Sequence, residues 1–422
     1  MRKVFFVSLF LVVICCLLSI GIYYLPPVNE RLAWRVDSFR AQIQYAIKPP
    51  EEAVFVPQAT FLTEPSATPQ PSPNPTQTHV ESTPGPTLVP TSIPTPTASS
   101  TPLPSHALLK GIKHEYQKWN NCGPANLSMA LSYWGWQGTQ LDTAAFLKPN
   151  PRDKNVSPGE MATFIRENTP FGVMVRVGGD LDQLKKLVAA GFPVIVEKGF
   201  EGVRFDGWMG HYEVVNGYED IGQRFLVQDS YEGPNRPVNY EELLRQWRAF
   251  NFLYIVPYPL EREADLISLI GAKETYEAGA QLSEAETLGL TGRDQFFAWY
   301  NLGTNRVALQ DYPGAAQAYD QAFMLYPGIL EKERPWRMLW YQAGPFAAYF
   351  MTGRFQDVVN LADQTLQAMS EPVLEEGFYW RGRAKVELGD LEGAVADFRT
   401  CLDAHPGYFP CGEQLSLLGA EP

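Results

Sequence analysis

The chain has 422 residues and a formal net charge of -13; it is too long for one ordinary core and changes composition abruptly along its length, so several modules are expected. From Leu260 onward there are 24 acidic against 12 basic residues, and no Lys/Arg cluster occurs, which excludes nucleic acid as a partner and argues against docking on anionic lipid. Five cysteines in so long a chain exclude a disulfide scaffold.

Val4 to Leu25 is an apolar run preceded by Arg2 and Lys3, long enough to cross a bilayer as one helix. A cleaved signal peptide cut after Gly21 is the competing reading, but the stretch is long for a signal core, and a retained anchor over 1–25 is preferred. Arg31, Arg35 and Arg40 rival Arg2 and Lys3 in a positive-inside count; either way the bulk of the chain is expected outside the cytoplasm. Residues 26–63 form a juxtamembrane segment in which Leu32, Val36, Phe39 and Ile43 recur at helical spacing. From Glu64 to Ser105 there are 12 prolines and 16 serines or threonines, with only Glu64 and Glu81 charged. Such a stretch cannot bury enough apolar surface to offset its ordering entropy. A disordered stalk over 64–105 is expected, with a reach of roughly 130 Å if extended as polyproline at about 3.1 Å per residue.

In the next module, 106–258, Cys122-Gly123-Pro124-Ala125 opens a stretch where Leu127, Ala130, Leu131 and Trp134 recur at helical spacing until Gly135. The pattern predicts a helix with Cys122 at its N-terminus. Unpaired amides and the macrodipole favour an anion there and lower a thiol pKa, and Pro124 in the first turn loses no hydrogen bond. Taken alone, the run equally fits a small buried cysteine. Downstream, His211–Tyr218 and Arg224–Asp229 read as strands joined by a turn over Glu219–Gln223, with Gly222 supplying the turn chemistry. If Tyr218 pairs with Gly222, His211 stands directly opposite Asp229, close enough for a carboxylate to orient an imidazole; other registers are open. Gln117, five residues before the thiol, could donate an amide to an oxyanion.

The helices predicted over Ser157–Glu167 and Leu181–Ala190 and the buried strand Phe192–Glu197 read as scaffold. Of Trp119, Trp134, Trp136, Phe205 and Trp208, core packing is the simpler reading for most, with Trp208 placed at the rim of a peptide groove. No histidine or cysteine cluster has metal-ligand spacing and no phosphate-cradling glycine loop occurs, so neither metal nor cofactor is expected.

The stretch Gln117 to Gly135, then Gly210-His211-Tyr212 with Val214-Val215-Asn216-Gly217-Tyr218, then Asp229, resembles the papain-like cysteine peptidases of the bacterial bacteriocin-processing, double-glycine-leader type, and more closely their stand-alone relatives lacking the transporter. The resemblance covers about Ala107 to Pro257. It implies a papain-like α+β fold, with Cys122 as nucleophile, His211 as general base and acid, Asp229 as orienter and Gln117 as oxyanion donor. Two departures stand out. No nucleotide-binding segment or bundle of membrane helices accompanies the module, so leader trimming is not implied, and Asp229 is followed by Ser230 where the family often has proline.

In residues 260–422, Trp299, Leu302, Gly303, Ala315, Tyr319, Ala322 and Pro327 have the spacing of a tetratricopeptide unit. Gly389, Leu391, Ala394, Phe398, Cys401 and Pro406 repeat its second half, and Tyr349, Gly353, Phe355, Val358 and Ala362 form a weaker copy. Each unit leaves an apolar face open, so stacking is obligatory, and an all-α tetratricopeptide-repeat solenoid is expected. Leu266 to Leu290 is read as an N-terminal helical pair and Tyr408 to Leu418 as the closing helix; a Cys401–Cys411 bridge is left open.

The combined expectation is a single-pass protein of the cell membrane with its C-terminal domains outside the cytoplasm. It would be a cysteine peptidase cleaving a peptide or protein substrate, with repeats that recruit a protein partner. The alternatives are acyl or peptidyl transfer on the same site, a non-catalytic peptide-binding adaptor, and repeats that serve only as a spacer or lid.

Overall fold

The computed structural model describes residues 102–201, 207–271, 275–369 and 371–421, with isolated positions between Ile14 and Pro57. The apolar run of 4–25, the juxtamembrane segment, the stalk and Phe205 lie wholly or largely outside the described residues. Among the described residues no helix is long and apolar enough to cross a membrane.

The strands β1 (His106–Leu108), β2 (Phe171–Arg176), β3 (Val194–Phe200), β4 (Met209–Glu219), β5 (Arg224–Asp229), β6 (Gly233–Asn239) and β7 (Tyr254–Pro259) form one antiparallel sheet. Its order is β2-β7-β3-β4-β5-β6, with β1 paired to the far end of β4. Helices α1 (Cys122–Tyr133), α2 (Gln140–Leu147) and α3 (Pro158–Asn168) cluster at one face; α4 (Leu181–Ala189) and α5 (Tyr240–Trp247) cover the other. Ile195, Tyr212 and Val214 pack with Leu127 and Leu131 of α1, while Val194, Val196 and Val215 pack with Leu184, Leu187 and Trp247. Both faces of the central strands are therefore buried, which is why Phe192–Val196 reads as a continuous apolar run rather than an alternation.

Local chemistry sets the helix starts. Ser157 caps α3 in a capping box with Glu160, with Pro158 at the first helical position, and Thr139 and Asp142 do the same for α2; each such cap stabilises by about 1 kcal/mol. Helix α1 differs: Asn121 makes no side-chain cap, because its carboxamide is engaged by Lys148 and Gln140 instead.

The β4–β5 hairpin corrects the expected register. The strands pair as Glu219↔Arg224 and Tyr218↔Phe225, then shift at Asn216 and continue as Val215↔Val227 and Val214↔Gln228. Tyr218 thus faces Phe225 rather than Gly222, and it is Gln223, not Gly222, that takes the left-handed turn conformation (φ 45°). The extra residue of the bulge, Asn216, accepts from the Leu109 amide and donates to the Leu109 carbonyl and Asn235. Continuing the lower register puts Asp229 opposite Glu213, diagonal to His211 on the same face. The displacement is even, so the two side chains still meet.

Beyond the sheet, α6 (Glu263–Ile270) packs on α4, with Leu266 in the sheet's own core. The C-terminal region is helical: α7 (Tyr276–Gly289), α8 (Gly292–Ala308), α9 (Tyr312–Leu325), α10 (Gly344–Met351), α11 (Phe355–Gln367), α12 (Glu375–Glu387), α13 (Leu391–Ala404) and α14 (Phe409–Leu417), each packed on the next. A Cβ on Gly303 of α8 would meet the Tyr319 ring at 2.7 Å, and one on Gly382 of α12 the Phe398 ring at 2.7 Å. These two close approaches have the same spacing in the chain. A disulfide joins Cys401 and Cys411. Phe55, from the segment before the stalk, is buried against Phe323 and Tyr349.

The helical region is packed directly on this sheet. Asn251 and Asn305 exchange two amide hydrogen bonds, 2.7 and 3.0 Å. The segment between α9 and α10 lies over the start of β4, where Arg337 donates to the Trp208 carbonyl at 2.8 Å and the Tyr341 ring stands edge-on to Trp208. Trp208 is therefore 2% exposed and belongs to this junction, not to a groove rim. Its position beside His211 says nothing about a partner supplied from 129 residues downstream. Trp119 is the exposed tryptophan of the set.

Candidate active site

Cys122 is the first residue of α1 and is half-buried. With Asn121 diverted, the first-turn amides are left for an anion at the thiol. Helix α1 is seated by Leu127, Met129, Ala130 and Leu131, all fully buried; at about 1.5–3 kcal/mol for each large apolar side chain, this packing fixes the thiol against β4. Gly123 allows the approach, since a Cβ there would stand 3.2 Å from Val156 and 3.6 Å from the Tyr212 ring.

His211, on β4, hydrogen-bonds Asp229 through Nε2 at 3.0 Å, which leaves Nδ1 for the Cys122 thiol with which it is also hydrogen-bonded. Asp229 is 1% exposed, and its Oδ1 also accepts the amides of Tyr231 (2.7 Å) and Glu232 (3.0 Å). The structure thus brings Cys122, His211 and Asp229 into one hydrogen-bonded line.

The electrostatics follow from this line. Burial alone would raise the Asp229 carboxyl, but the His211 charge and bond, the Lys198 charge and the Glu232 amide outweigh it and hold it well below the usual carboxylate range. Burial likewise works against a charged His211, yet Asp229, through its charge and hydrogen bond, and then Cys122 push it up to about 10. Burial pushes the Cys122 thiol up; the His211 bond and charge, the Tyr212 amide and the Lys148 charge prevail and lower it. The favoured state is a thiolate beside an imidazolium. Lys198 lies opposite His211 in the β3–β4 ladder and is neutralised by Glu213 at 2.7 Å.

Gln117 joins this centre through Ser230. The Gln117 amide donates to the Ser230 carbonyl (2.8 Å), and the Ser230 hydroxyl donates to Gln117 Oε1 (2.8 Å). With its oxygen so fixed, the Gln117 carboxamide has its NH2 as the group able to donate to an oxyanion. Ser230, the residue after Asp229, thereby links the orienting turn to Gln117.

Three contributors were not legible in the sequence. Asn126 Nδ2, one turn after the thiol, donates to the carbonyls of Cys122 (2.9 Å) and Tyr212 (2.6 Å) and to Ser230 Oγ (3.0 Å), tying nucleophile, histidine strand and orienting turn together. Its only signal is a polar residue on a buried helix. Lys148 Nζ donates to the Trp119 and Asn120 carbonyls and to Asn121 Oδ1, bracing the residues that lead into Cys122. Tyr341, from the helical region, reaches the Gly210 amide, which donates to its phenolic oxygen.

A helix-borne thiol set against a strand-borne histidine and its carboxylate, on an antiparallel sheet, defines the papain-like class of thiol peptidase domain. Residues 109–255 match the Peptidase C39 like family, so this part of the chain is similar to C39-like peptidase domains. Among solved structures, a C39-like peptidase from Bacillus anthracis is 17% identical over 36% of this chain and 96% of its own, with a TM-score of 0.30. A double glycine motif protease from an AMS/PCAT transporter in complex with the leader peptide is 19% identical over 36% of this chain and 98% of its own, with a TM-score of 0.27. No curated protein matches the chain.

Proposed function

We propose that the chain is a membrane-anchored, extracytoplasmic cysteine peptidase. The Cys122 thiolate attacks a peptide carbonyl, and the oxyanion is met by the first-turn amides of α1 and the Gln117 carboxamide. The C–N bond breaks as His211 passes its proton to the leaving amine, giving a thioester on Cys122. Water, deprotonated by His211, then attacks the thioester, and Cys122 leaves as thiolate. The observation that carries this reading is the hydrogen-bonded line from Cys122 through His211 to Asp229.

The extracytoplasmic placement is supported by the apolar run of 4–25 and by the Cys401–Cys411 disulfide, which suits an oxidising compartment. The matching Gly303–Tyr319 and Gly382–Phe398 contacts support the tetratricopeptide reading of the C-terminal helices, and hence recruitment of a protein partner.

Digestion of a peptide library by the full-length chain, with products read by mass spectrometry, tests this reading. New carboxyl termini made by the wild type and absent with Cys122→Ala are expected. Amide-linked adducts with an added amine would indicate transfer instead, and peptide binding without any product from either protein would point to an adaptor.

A further inference from the structure

Three ionisable residues from distant parts of the chain meet where the peptidase domain touches the C-terminal helices. Asp153 follows α2, Glu375 opens α12, and His405 follows α13; each offers a ligand atom within 4.8 Å of the others. Asp153 and Glu375 are each 4% exposed and His405 is half-buried. We propose that Asp153, Glu375 and His405 bind one divalent first-row transition cation, Zn2+ in the first instance, which ties the peptidase domain to the C-terminal helices.

The donor set is two carboxylates and one imidazole. That combination suits Zn2+ or Mn2+ better than Ca2+ or Mg2+, which favour oxygen alone, and it lacks the thiolates of a closed structural zinc site. Three protein ligands leave a position for water, and the half-exposed His405 provides a route in from solvent. Ligands at about 2.0–2.2 Å from a tetrahedral Zn2+ stand roughly 3.3–3.6 Å from one another, so small side-chain rotations close the set. His405 Nδ1 and Glu375 Oε1 are already 2.8 Å apart.

Charge balance points the same way. The buried Asp153 carboxylate accepts one hydrogen bond, from the Asn155 amide at 3.2 Å, and pairs with no cation among the described residues. The neighbouring Lys148 gives its hydrogen bonds to Trp119, Asn120 and Asn121 instead. His405 hydrogen-bonds Glu375 rather than Asp153.

The ligands are also held in place. The Cys401–Cys411 disulfide brackets His405, and Glu375 is fixed in the first turn of α12. The Asp153 loop is docked by Asn150 on the Asp403 carbonyl (3.4 Å) and by Asn120 on the Asp153 carbonyl (3.3 Å). Because Lys148 and Asn120 also brace the approach to Cys122, a cation here would stiffen the loops around the thiol without touching it.

The test uses the full-length chain carrying Cys122→Ala, so that the thiol cannot itself bind zinc. Titration with Zn2+ and separately with Mn2+, by calorimetry and by thermal melting, should show one ion per chain and a raised Tm. Glu375→Gln and His405→Gln in that background should weaken binding by at least about 10–100-fold, the range already seen for outer-shell partners. X-ray absorption at the zinc edge of the Cys122→Ala parent should show an N/O shell with one imidazole, and this readout stands even if a ligand variant does not fold. Absence of binding by the folded parent, affinity unchanged in both variants, or a zinc shell without imidazole would each overturn the proposal.

Discussion

Replacing Asp229 by asparagine separates charge from orientation at His211. The native Asp229 Oδ1 takes His211 Nε2 at 3.0 Å and the amides of Tyr231 and Glu232; an asparagine oxygen can keep all three contacts but not the charge. Burial lowers His211, and it is chiefly the Asp229 charge that reverses this and brings the imidazole from 6.5 to about 10. At about 1.36 kcal/mol per tenfold, that rise corresponds to roughly 5 kcal/mol in favour of imidazolium. Cys122 supplies part of it and stays, so the expected loss is about 3 kcal/mol, or about 10²-fold in the thiolate–imidazolium population at neutral pH. The native imidazolium persists until pH rises through about 10; in Asp229→Asn it is lost about 2 pH units lower. The same two groups set the sign for stability. Asp229, held low, stabilises the fold above the usual carboxylate range and ceases to as pH falls, and His211, held high, stabilises it below about 6.5 and ceases to as pH rises toward 10. The assay is the rate of Cys122 alkylation by a neutral haloacetamide across pH, alongside kcat/KM on a cleaved peptide. The native alkylation limb should lie below that of an ordinary thiol and move upward in the variant. Superimposable profiles would refute the charge argument.

Ser230→Ala removes the hydroxyl shared by Gln117 and Asn126; unsatisfied buried partners cost about 1–3 kcal/mol, so kcat should fall about tenfold or more with KM nearly unchanged, as steady-state kinetics would show. Gly210→Ala puts a Cβ 2.7 Å from Phe250 and 2.9 Å from Tyr341; overpacking of about 1–3 kcal/mol should lower Tm and, by disturbing the residue before His211, lower kcat/KM together with it.

The elements that local chemistry dictates were legible in the sequence. Helix α1 with Cys122 at its start, the capped α3, the amphipathic α4 and the buried β3 all follow from periodicity, caps and flanking glycine or proline. The hairpin that carries His211 and Asp229 was legible as an element but not in register, because the bulge at Asn216 has no local signature and the turn conformation falls on Gln223. The supports of the site were not legible at all. Asn126, Ser230 and Lys148 act on carbonyls and amides brought near only by the fold, and Trp208 is buried by residues 336–341. The Asp153–Glu375–His405 cluster escaped a search for metal-ligand spacing for the same reason: its members share no segment, only a junction.

The most direct test of the central claim is labelling of the full-length protein by a thiol-directed peptidase probe under reducing conditions, with the modified residue located by mass spectrometry. Stoichiometric labelling at Cys122, abolished in Cys122→Ala and strongly slowed in His211→Ala while both variants keep the native melting profile, is the predicted result. No labelling of the folded wild type, or labelling equally fast without His211, would contradict it.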